Sequence, residues 1–211
     1  MVAHITRIET AGPDSRARRI VFDDGSESRL TAAAALKQIS LEAGMAVVPS
    51  DLDEQLLKIE LPLAKDRVLG LLGYREHTRS ELATKLRNGG YPASVAQQVL
   101  DRFSEVELVD DTRFAHAWVR TRVAAGYGQT RIARELADKG VDPDIASAAL
   151  AEELEGCDEV ARARSALRGK RPADRKERER LIRKLVTKGF ALRVALAALD
   201  AADDADLSEE T

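Results

Sequence analysis

The sequence predicts a mainly α-helical protein whose tandem three-helix repeats form an elongated, curved array, with a small N-terminal element that contains a β-hairpin. Three observations predict this fold. The 211 residues are rich in Ala, Leu, Arg and Glu, and only 4% are aromatic. Such residues lose little side-chain freedom in a helix. A unit of about 50 residues recurs three times, and strand-like patterns are confined to the first thirty residues.

The internal repeat appears when three segments are aligned without gaps on Leu86, Leu136 and Leu185, which lie 50 and 49 residues apart. Each anchor has an apolar residue four positions earlier, so the two side chains share one helix face. A glycine and an apolar residue follow each anchor, in a turn where glycine readily takes a positive φ. We predict that the apolar residue fills the small core of its unit. The pairs are Gly90-Tyr91, Gly140-Val141 and Gly189-Phe190.

Each repeat is predicted to contain three helices. Apolar-periodic stretches precede the anchors, with Val68, Trp118 and Leu167 each 18 positions upstream. Thr78 has capping-box spacing for the second helix of the first repeat, and Asp142 precedes a proline as an N-cap does. Units of this kind stack side by side, so they offer a long surface instead of a deep pocket.

The N-terminal segment has the pattern of a small sheet. Residues 5–9 and 17–22 alternate as strands, and Asp24-Gly25 is a turn signal that leads into a third strand. Thr31 is predicted to cap an alanine-rich helix that runs to about residue 39. We therefore predict a β-hairpin and helix element next to the first repeat.

The predicted domain boundaries follow from these patterns. The N-terminal element covers residues 1–60, the three repeats cover residues 61–109, 110–156 and 157–202, and an acidic tail covers residues 203–211. The aromatic pair Phe114 and Trp118 in the second repeat has helical spacing, which favours a place in the core over a stacking surface for bases.

Charge is unevenly distributed although the net charge is only −3. Between Arg162 and Arg193 thirteen Lys and Arg residues stand against three acids, so this block carries +10 and the rest of the chain −13. Such a block is typical either of a solvated helix face or of a surface that binds a polyanion. The acidic tail could shield the block until a partner displaces it.

Several function classes find no support in the sequence. No apolar run approaches the ~18 residues of a membrane span, so we expect a cytoplasmic protein. Cys157 is the sole cysteine, which excludes an internal disulfide. The three histidines lack metal-ligand spacing, and phosphate-binding and nucleophile-elbow motifs are absent. We therefore expect no enzymatic activity and no cofactor.

Three signatures give the chain its resemblance to a known family. Arg75 to Leu82 resembles an R-E-H-S-R-x-E-L signature that follows an apolar helix, residues 108–115 resemble L-x-D-D-x-R-F-A, and Gly126 to Ile132 resembles G-Y-G-P-x-R-I. Their order and spacing are those of the RecX family. Gln129 stands where many relatives have proline. Thirteen signature residues are expected to be structural: Arg75, Glu76, Ser80, Glu81, Leu82, Leu86, Asp110, Asp111, Phe114, Gly126, Gly128, Leu136 and Gly140.

The resemblance implies a monomeric regulator that lies in the groove of the RecA filament on single-stranded DNA. Such a regulator restrains filament growth, strand exchange, ATP hydrolysis and co-protease activity. Contact through basic side chains would make the association salt-sensitive. The candidate contacts with RecA or with DNA are Arg120, Arg122, Arg131, Arg134, Lys170, Arg171, Arg175, Lys176, Arg178 and Arg183.

Two other functions remain open at this point. A helical protein that binds single- or double-stranded DNA without RecA would use three-helix units as helix-turn-helix modules, and it should hold naked DNA at physiological salt. A structural adaptor should neither bind DNA nor slow the RecA ATPase. A filament regulator should prefer RecA-coated DNA and act well below stoichiometric amounts.

Overall fold

The computed structural model describes residues 1–11 and 16–207, with side chains as far as Asp200. The chain divides into two compact units, Met1–Asp110 and Asp111–Thr211. Within the described residues it forms four strands and ten helices. The fold is therefore mainly helical with an N-terminal sheet, as predicted.

The sheet occupies the start of the first unit. Its four strands are β1 (Ala3–Ala11), β2 (Ala17–Phe22), β3 (Arg29–Ala32) and β4 (Ala46–Val47). They are hydrogen-bonded in the order β3-β2-β1-β4, and every neighbouring pair is antiparallel. The three predicted strands are thus confirmed, whereas β4, which pairs with only two residues of β1, was not predicted.

The prediction that Thr31 caps a helix is wrong. Thr31 belongs to β3, and the helix that follows, α1, spans only Ala33–Leu36, with Ala32 at its N-cap and no side-chain cap. The Thr31 hydroxyl donates instead to a carboxylate oxygen of Glu60 at 2.5 Å. The Thr31 hydroxyl, which the local pattern assigned to a helix cap, therefore binds the buried carboxylate of Glu60.

Three longer helices complete the first unit: α2 (Pro49–Leu72), α3 (Arg79–Asn88) and α4 (Ala93–Glu105). The helix α2 continues through Pro62, although proline removes a backbone hydrogen bond there. The predicted boundary between residues 60 and 61 falls inside this helix. Its second half, with α3 and α4, forms the first three-helix repeat, whose core is continuous with that of the sheet.

A buried polar cluster ties the sheet to α2. Glu60 is fully buried, and the Arg29 guanidinium donates to it at 2.8 Å while also reaching Asp53 at 2.7 Å. The Arg29 side chain is 16% exposed. Since a buried carboxylate is tolerated only when it is paired and hydrogen-bonded, Arg29 and Thr31 are what allow Glu60 to lie in this interface.

The second unit contains two further three-helix repeats. The first of them consists of α5 (Asp111–Ala124), α6 (Gln129–Asp138) and α7 (Pro143–Glu153), and the other of α8 (Glu159–Ala166), α9 (Arg175–Thr187) and α10 (Leu192–Leu207). Each has its own apolar core. The three-helix organisation of all three repeats is as predicted. Of the predicted acidic tail, residues 208–211 lie outside the described residues.

The turn chemistry of the repeats is also confirmed. The Thr78 hydroxyl accepts from the Glu81 amide, and the Asp142 carboxylate accepts from the Asp144 amide. The glycines after α3, α6 and α9 all have positive φ, and the three apolar residues that follow them are at most 5% exposed. These residues are Tyr91, Val141 and Phe190.

The two repeats of the second unit meet at a contact between backbones. The Gly128 amide donates to the Lys188 carbonyl at 2.8 Å, and the Thr130 amide donates to the Gly189 carbonyl at 3.1 Å. A methyl group at Gly128 would lie 2.3 Å from the Gly189 carbonyl carbon and 2.4 Å from the Phe190 nitrogen. The first turn of α6 therefore rests on the α9–α10 turn, and it does so only because position 128 has no side chain.

We expect Glu60→Ala to destabilise the first unit by roughly 3 kcal/mol, because it leaves Arg29 largely buried and without its buried partner. Chemical denaturation monitored by circular dichroism measures the change. Glu54→Ala is the matched control, since Glu54 lies on the same helix in an exposed pair with Lys58 and should have no measurable effect. Equal effects of the two substitutions would contradict this role for Glu60.

We expect Gly128→Ala to destabilise the second unit by about 1–3 kcal/mol, since the added methyl group must push apart two backbones. Gly128 is the N-cap of α6 and has a φ of −85°, which alanine also adopts without strain. The loss of stability would therefore come from crowding of the methyl group and not from backbone strain. Gly70→Ala is the control. Nothing lies within 4 Å of a methyl group there, and alanine favours the helix by up to ~1 kcal/mol. A neutral Gly128→Ala variant would contradict the close contact.

Candidate functional site

The first signature forms a network at the start of α3. The Arg75 guanidinium donates to both Glu81 oxygens, at 3.0 and 3.4 Å, and the Nδ1 of His77 lies 3.0 Å from one of them. The Glu81 amide also donates to the hydroxyl of Thr78, the N-cap of α3. The signature thus closes the turn between α2 and α3. In the same segment Leu82 and Leu86 are fully buried, whereas Glu76 and Ser80 are exposed.

The histidine of this network is held in its neutral form. His77 is 5% exposed, and this burial lowers its pKa, because the protonated ring would lose its hydration. The hydrogen bond to Glu81 acts in the opposite direction and the nearby Arg75 charge adds to the lowering. His77 is therefore a structural residue of the turn at neutral pH.

The second signature begins the middle repeat. Asp111 is the first residue of α5, where its charge suits the helix dipole, and Asp110 directly precedes it. Phe114 is buried at 5% exposure, while its stacking partner Trp118, 5.8 Å away between ring centroids, is only half-buried. The prediction that both rings belong to the core holds fully for Phe114 and in part for Trp118.

The third signature shapes the turn between α5 and α6. Gly126 has a φ of +77° and Gly140, after α6, a φ of +72°, which glycine adopts without strain. Gly128 makes the backbone contact described above, and Leu136 is fully buried. Each of these signature residues thus shapes a turn or a core.

The four arginines proposed for the middle repeat lie in different environments. Arg120 pairs with Glu153 at 2.6 Å across α5 and α7, although its side chain remains 59% exposed. Arg134 is exposed and forms no ion pair or hydrogen bond with the described residues. Arg122 and Arg131 share the carboxylate of Glu135, at 2.7 and 3.0 Å.

Two aromatic rings are covered by these cations, and we call Trp118, Tyr127, Arg122, Arg131 and Lys139 the aromatic–cation stack. Over Trp118 lie the Arg122 guanidinium, at 4.2 Å, and the Lys139 ammonium, at 4.4 Å. Over Tyr127 lies the Arg131 guanidinium, at 4.3 Å. Such contacts stabilise a cation by about 0.5–2 kcal/mol, so the rings hold these cations in place.

Glu135 is the carboxylate that neutralises part of the stack. Burial alone would raise its pKa, but the hydrogen bond from Arg131 and the charge of Arg122 more than offset this and leave the pKa below its usual value. Glu135 pairs with two of the three cations of the stack, Arg122 and Arg131. Lys139 also has a further partner among the described residues.

The six candidate contact residues of the basic block lie on α9 and in the loop before it. Arg175 pairs with Glu179 and Arg178 pairs with Asp200, and Arg171 also has a partner. Lys170, Lys176 and Arg183 are exposed and have no carboxylate partner among the described side chains. The six proposed residues of the block therefore divide into three that are engaged and three that are available.

The described part of the chain has neither a metal-binding cluster nor a membrane-spanning helix. There, no group of three or more His, Cys, Asp or Glu side chains is placed to hold a metal ion. Nor does any helix among the described residues combine the length and apolar character required to span a membrane. Cys157 is an exposed free thiol.

Sequence reasoning missed the aromatic–cation stack as a unit. It singled out Arg122 and Arg131 but not Tyr127, Glu135 or Lys139. The spacing of Trp118 to Arg122 and of Arg131 to Glu135, four positions each, was a local signal that these side chains meet on their helices. Nothing in the sequence indicated that the Trp118–Arg122 pair on α5 would contact the Arg131–Glu135 pair on α6.

We expect the stability of the first unit to fall below about pH 6.5, where unfolded histidine begins to bind a proton. The folded pKa of His77 is lower, so the unfolded chain binds the proton first and the free energy of unfolding decreases until the folded pKa is passed. His77→Gln should remove this component, while the carboxylate contributions appear at lower pH. Urea denaturation of both proteins between pH 7 and 5 measures it, and parallel curves would contradict the burial effect.

Comparison with known proteins agrees with this fold. Residues 64–103 match the model of the first three-helix domain of RecX, and residues 110–150 match that of the second. Among solved structures, a crystal structure of regulatory protein RecX superposes with a TM-score of 0.58 at 22% identity, covering 94% of this chain and 99% of that chain. A RecX structure from Lactobacillus salivarius also has a TM-score of 0.58, over 68% of this chain and 97% of that one.

Curated relatives are closer in sequence. The regulatory protein RecX of Mycolicibacterium smegmatis is 46% identical over 119 residues, which cover 56% of this chain and 60% of that protein. The regulatory protein RecX of Halorhodospira halophila is 42% identical over 147 residues, which cover 67% of this chain and 89% of that protein. The two domain matches and the likeness over 89% of the Halorhodospira halophila protein show that the chain belongs to the RecX family.

Proposed function

We propose that this protein is a non-catalytic regulator that binds the RecA filament on single-stranded DNA and inhibits its recombinase, ATPase and co-protease activities. The likeness to relatives named regulatory proteins, over both three-helix domains, carries the proposal, because the RecX resemblance implies action on RecA. Such a protein would act in the cytoplasm as a monomer.

The basic side chains of the second unit support a polyanionic or acidic target. Lys170, Lys176 and Arg183 are exposed without a carboxylate partner among the described side chains, and Arg134 is exposed in the neighbouring repeat. Since an exposed cation that is already paired within its own protein must give up that partner to bind another, the unpaired ones are the stronger contact candidates. We rank Arg120, Arg175 and Arg178 below them.

The test is the RecA ATPase on circular single-stranded DNA with increasing amounts of the protein. We expect inhibition well below one molecule per RecA subunit. The variant Lys170→Gln/Lys176→Gln/Arg183→Gln should need roughly tenfold more protein for the same effect, because each lost contact weakens a salt-sensitive association. A matched variant neutralises three exposed cations of the first unit, Lys37, Lys65 and Arg87, and should behave as the unmodified protein does.

Two results would contradict the proposal. An ATPase that is not slowed at any ratio would exclude a filament regulator. Binding to naked DNA as tight as binding to RecA-coated DNA, measured at physiological salt by fluorescence anisotropy, would favour the direct DNA-binding function instead.

A further inference from the structure

A small cleft in the second unit is lined by small residues and by three cations. It has a volume of about 320 Å³ and lies where the end of α5, the helix α8 and the α9–α10 turn come together. Its walls are made largely of small residues, which leave backbone and cavity accessible. They include Ala124, Ala125, Gly126, Ala161, Ser165 and Ala166.

Three cations line this cleft, and no carboxylate is among its lining residues. Arg162 donates to the Tyr127 carbonyl at 3.0 Å, and Lys188 donates to the Gly126 carbonyl at 3.2 Å. Arg168 forms no side-chain hydrogen bond with the described residues. Carbonyl groups orient a cation but do not neutralise it, so the three charges stand uncompensated by any described carboxylate.

Arg168 directly follows the C-cap of α8. Its φ is +55°, and Gly169, which follows, has a φ of +74°. Glu107 has a similar φ of +56° after the C-cap of α4, so this conformation marks the end of a helix. Glycine or asparagine would adopt it more easily than arginine. Arg168 is exposed in this turn and is the one cation of the three without a side-chain hydrogen bond to the described residues.

The cleft adjoins the aromatic–cation stack. The Lys188 ammonium lies 5.1 Å from the centre of the Tyr127 ring, whose neighbour Arg131 belongs to the stack. Cations therefore continue from Arg168 through Lys188 and Arg131 to Arg122, with Glu135 as the carboxylate that pairs with the last two. An anion bound in the cleft would gain from this field as well as from direct contacts.

We propose that this cleft binds a phosphate group. Three cationic side chains line a cavity with room for a tetrahedral anion. The oxygens of a phosphate group point in tetrahedral directions and can meet donors from different walls of the cleft, whereas the two oxygens of a carboxylate lie in one plane. The inference deepens the proposed function and rests on it for the source of the phosphate, which would be the DNA strand of the filament. A free phosphate or nucleotide has the same chemistry, and an acidic protein segment is the competing ligand.

The experiment measures binding by the full-length protein without RecA. Inorganic phosphate, a 20-residue oligothymidylate and a polyglutamate peptide are titrated at constant ionic strength while the amide signals of Gly126, Ser165 and Gly169 are followed by NMR. We expect phosphate and the oligonucleotide to shift these signals and the peptide to leave them in place. A response to phosphate alone would assign the site to a free anion and still support it.

Variants locate the effect. Arg168→Gly removes a cation and relieves the strained φ, so it should be at least as stable as the unmodified protein. Combined with Lys188→Met it should weaken oligothymidylate binding about tenfold and reduce the slope of log affinity against log salt by roughly 0.7. Arg164→Gln is the matched control, since Arg164 is exposed on α8, next to the lining residue Ser165, but does not line the cleft.

The proposal is overturned if the three amides do not respond, if polyglutamate shifts them as strongly as phosphate, or if Arg164→Gln weakens binding as much as the cleft variants. The filament function is judged separately. If the cleft variants lose phosphate binding but still inhibit RecA, the assignment of the cleft stands, because binding and inhibition are measured in separate experiments. RecA inhibition that is absent from a protein whose cleft responds would remove the filament proposal and leave the site.

Discussion

The contact of Gly128 with the Lys188–Phe190 turn is the packing constraint on which the second unit depends. Two backbone hydrogen bonds cross it, and the absence of a side chain at position 128 allows the approach. The contact fixes where α6 begins relative to α9 and α10. Because Tyr127 and Gly126 directly precede it, the contact also places their carbonyl groups beside Arg162 and Lys188. The approach thus shapes the cleft, and it also brings the Lys188 ammonium within 5.1 Å of the Tyr127 ring of the stack.

The first unit uses the equivalent turn in a similar way. A methyl group at Gly90 would lie 2.7 Å from the Ala17 Cα and 2.8 Å from the Thr31 carbonyl oxygen, so the turn after α3 packs against the sheet. The glycine after the anchor leucine thus has two roles in these repeats. It permits the positive φ that ends the helix, and it allows another segment of backbone to approach. Gly140 in the middle repeat is exposed, so it has the first role, the positive φ, but is not covered by another segment of backbone in the described structure.

Local chemistry made much of the fold predictable from the sequence. The anchor leucines, the caps at Thr78 and Asp142 and the three turn glycines depend on spacings of a few residues, and the structure has them as expected. The failures involve partners distant in sequence. Thr31 looked like a cap because nothing nearby revealed Glu60, 29 residues later. The cleft was not found because its cations come from α8, the turn after it and the end of α9, and because another part of its wall comes from α5.

The same limit applies to the candidate contacts. Sequence alone treated ten basic residues alike, whereas the structure distinguishes cations that are paired internally from those that are available. It also adds Arg162, Arg168 and Lys188, whose importance comes from the shape of the cleft and not from any motif. The charge pattern of residues 162–193 was compatible with a solvated helix face and with a surface that binds a polyanion, and the structure places three of those cations around the cleft.

Hydrogen exchange at the backbone junction tests the central claim most directly. The Gly128 and Thr130 amides each donate across the contact, so we expect them to exchange as slowly as the core amides of α6 and α9, through unfolding of the whole unit. Exchange at the rate of an open turn, with those helical amides still protected, would show that the two repeats are not held together there. The position assigned to the cleft would then lose its basis.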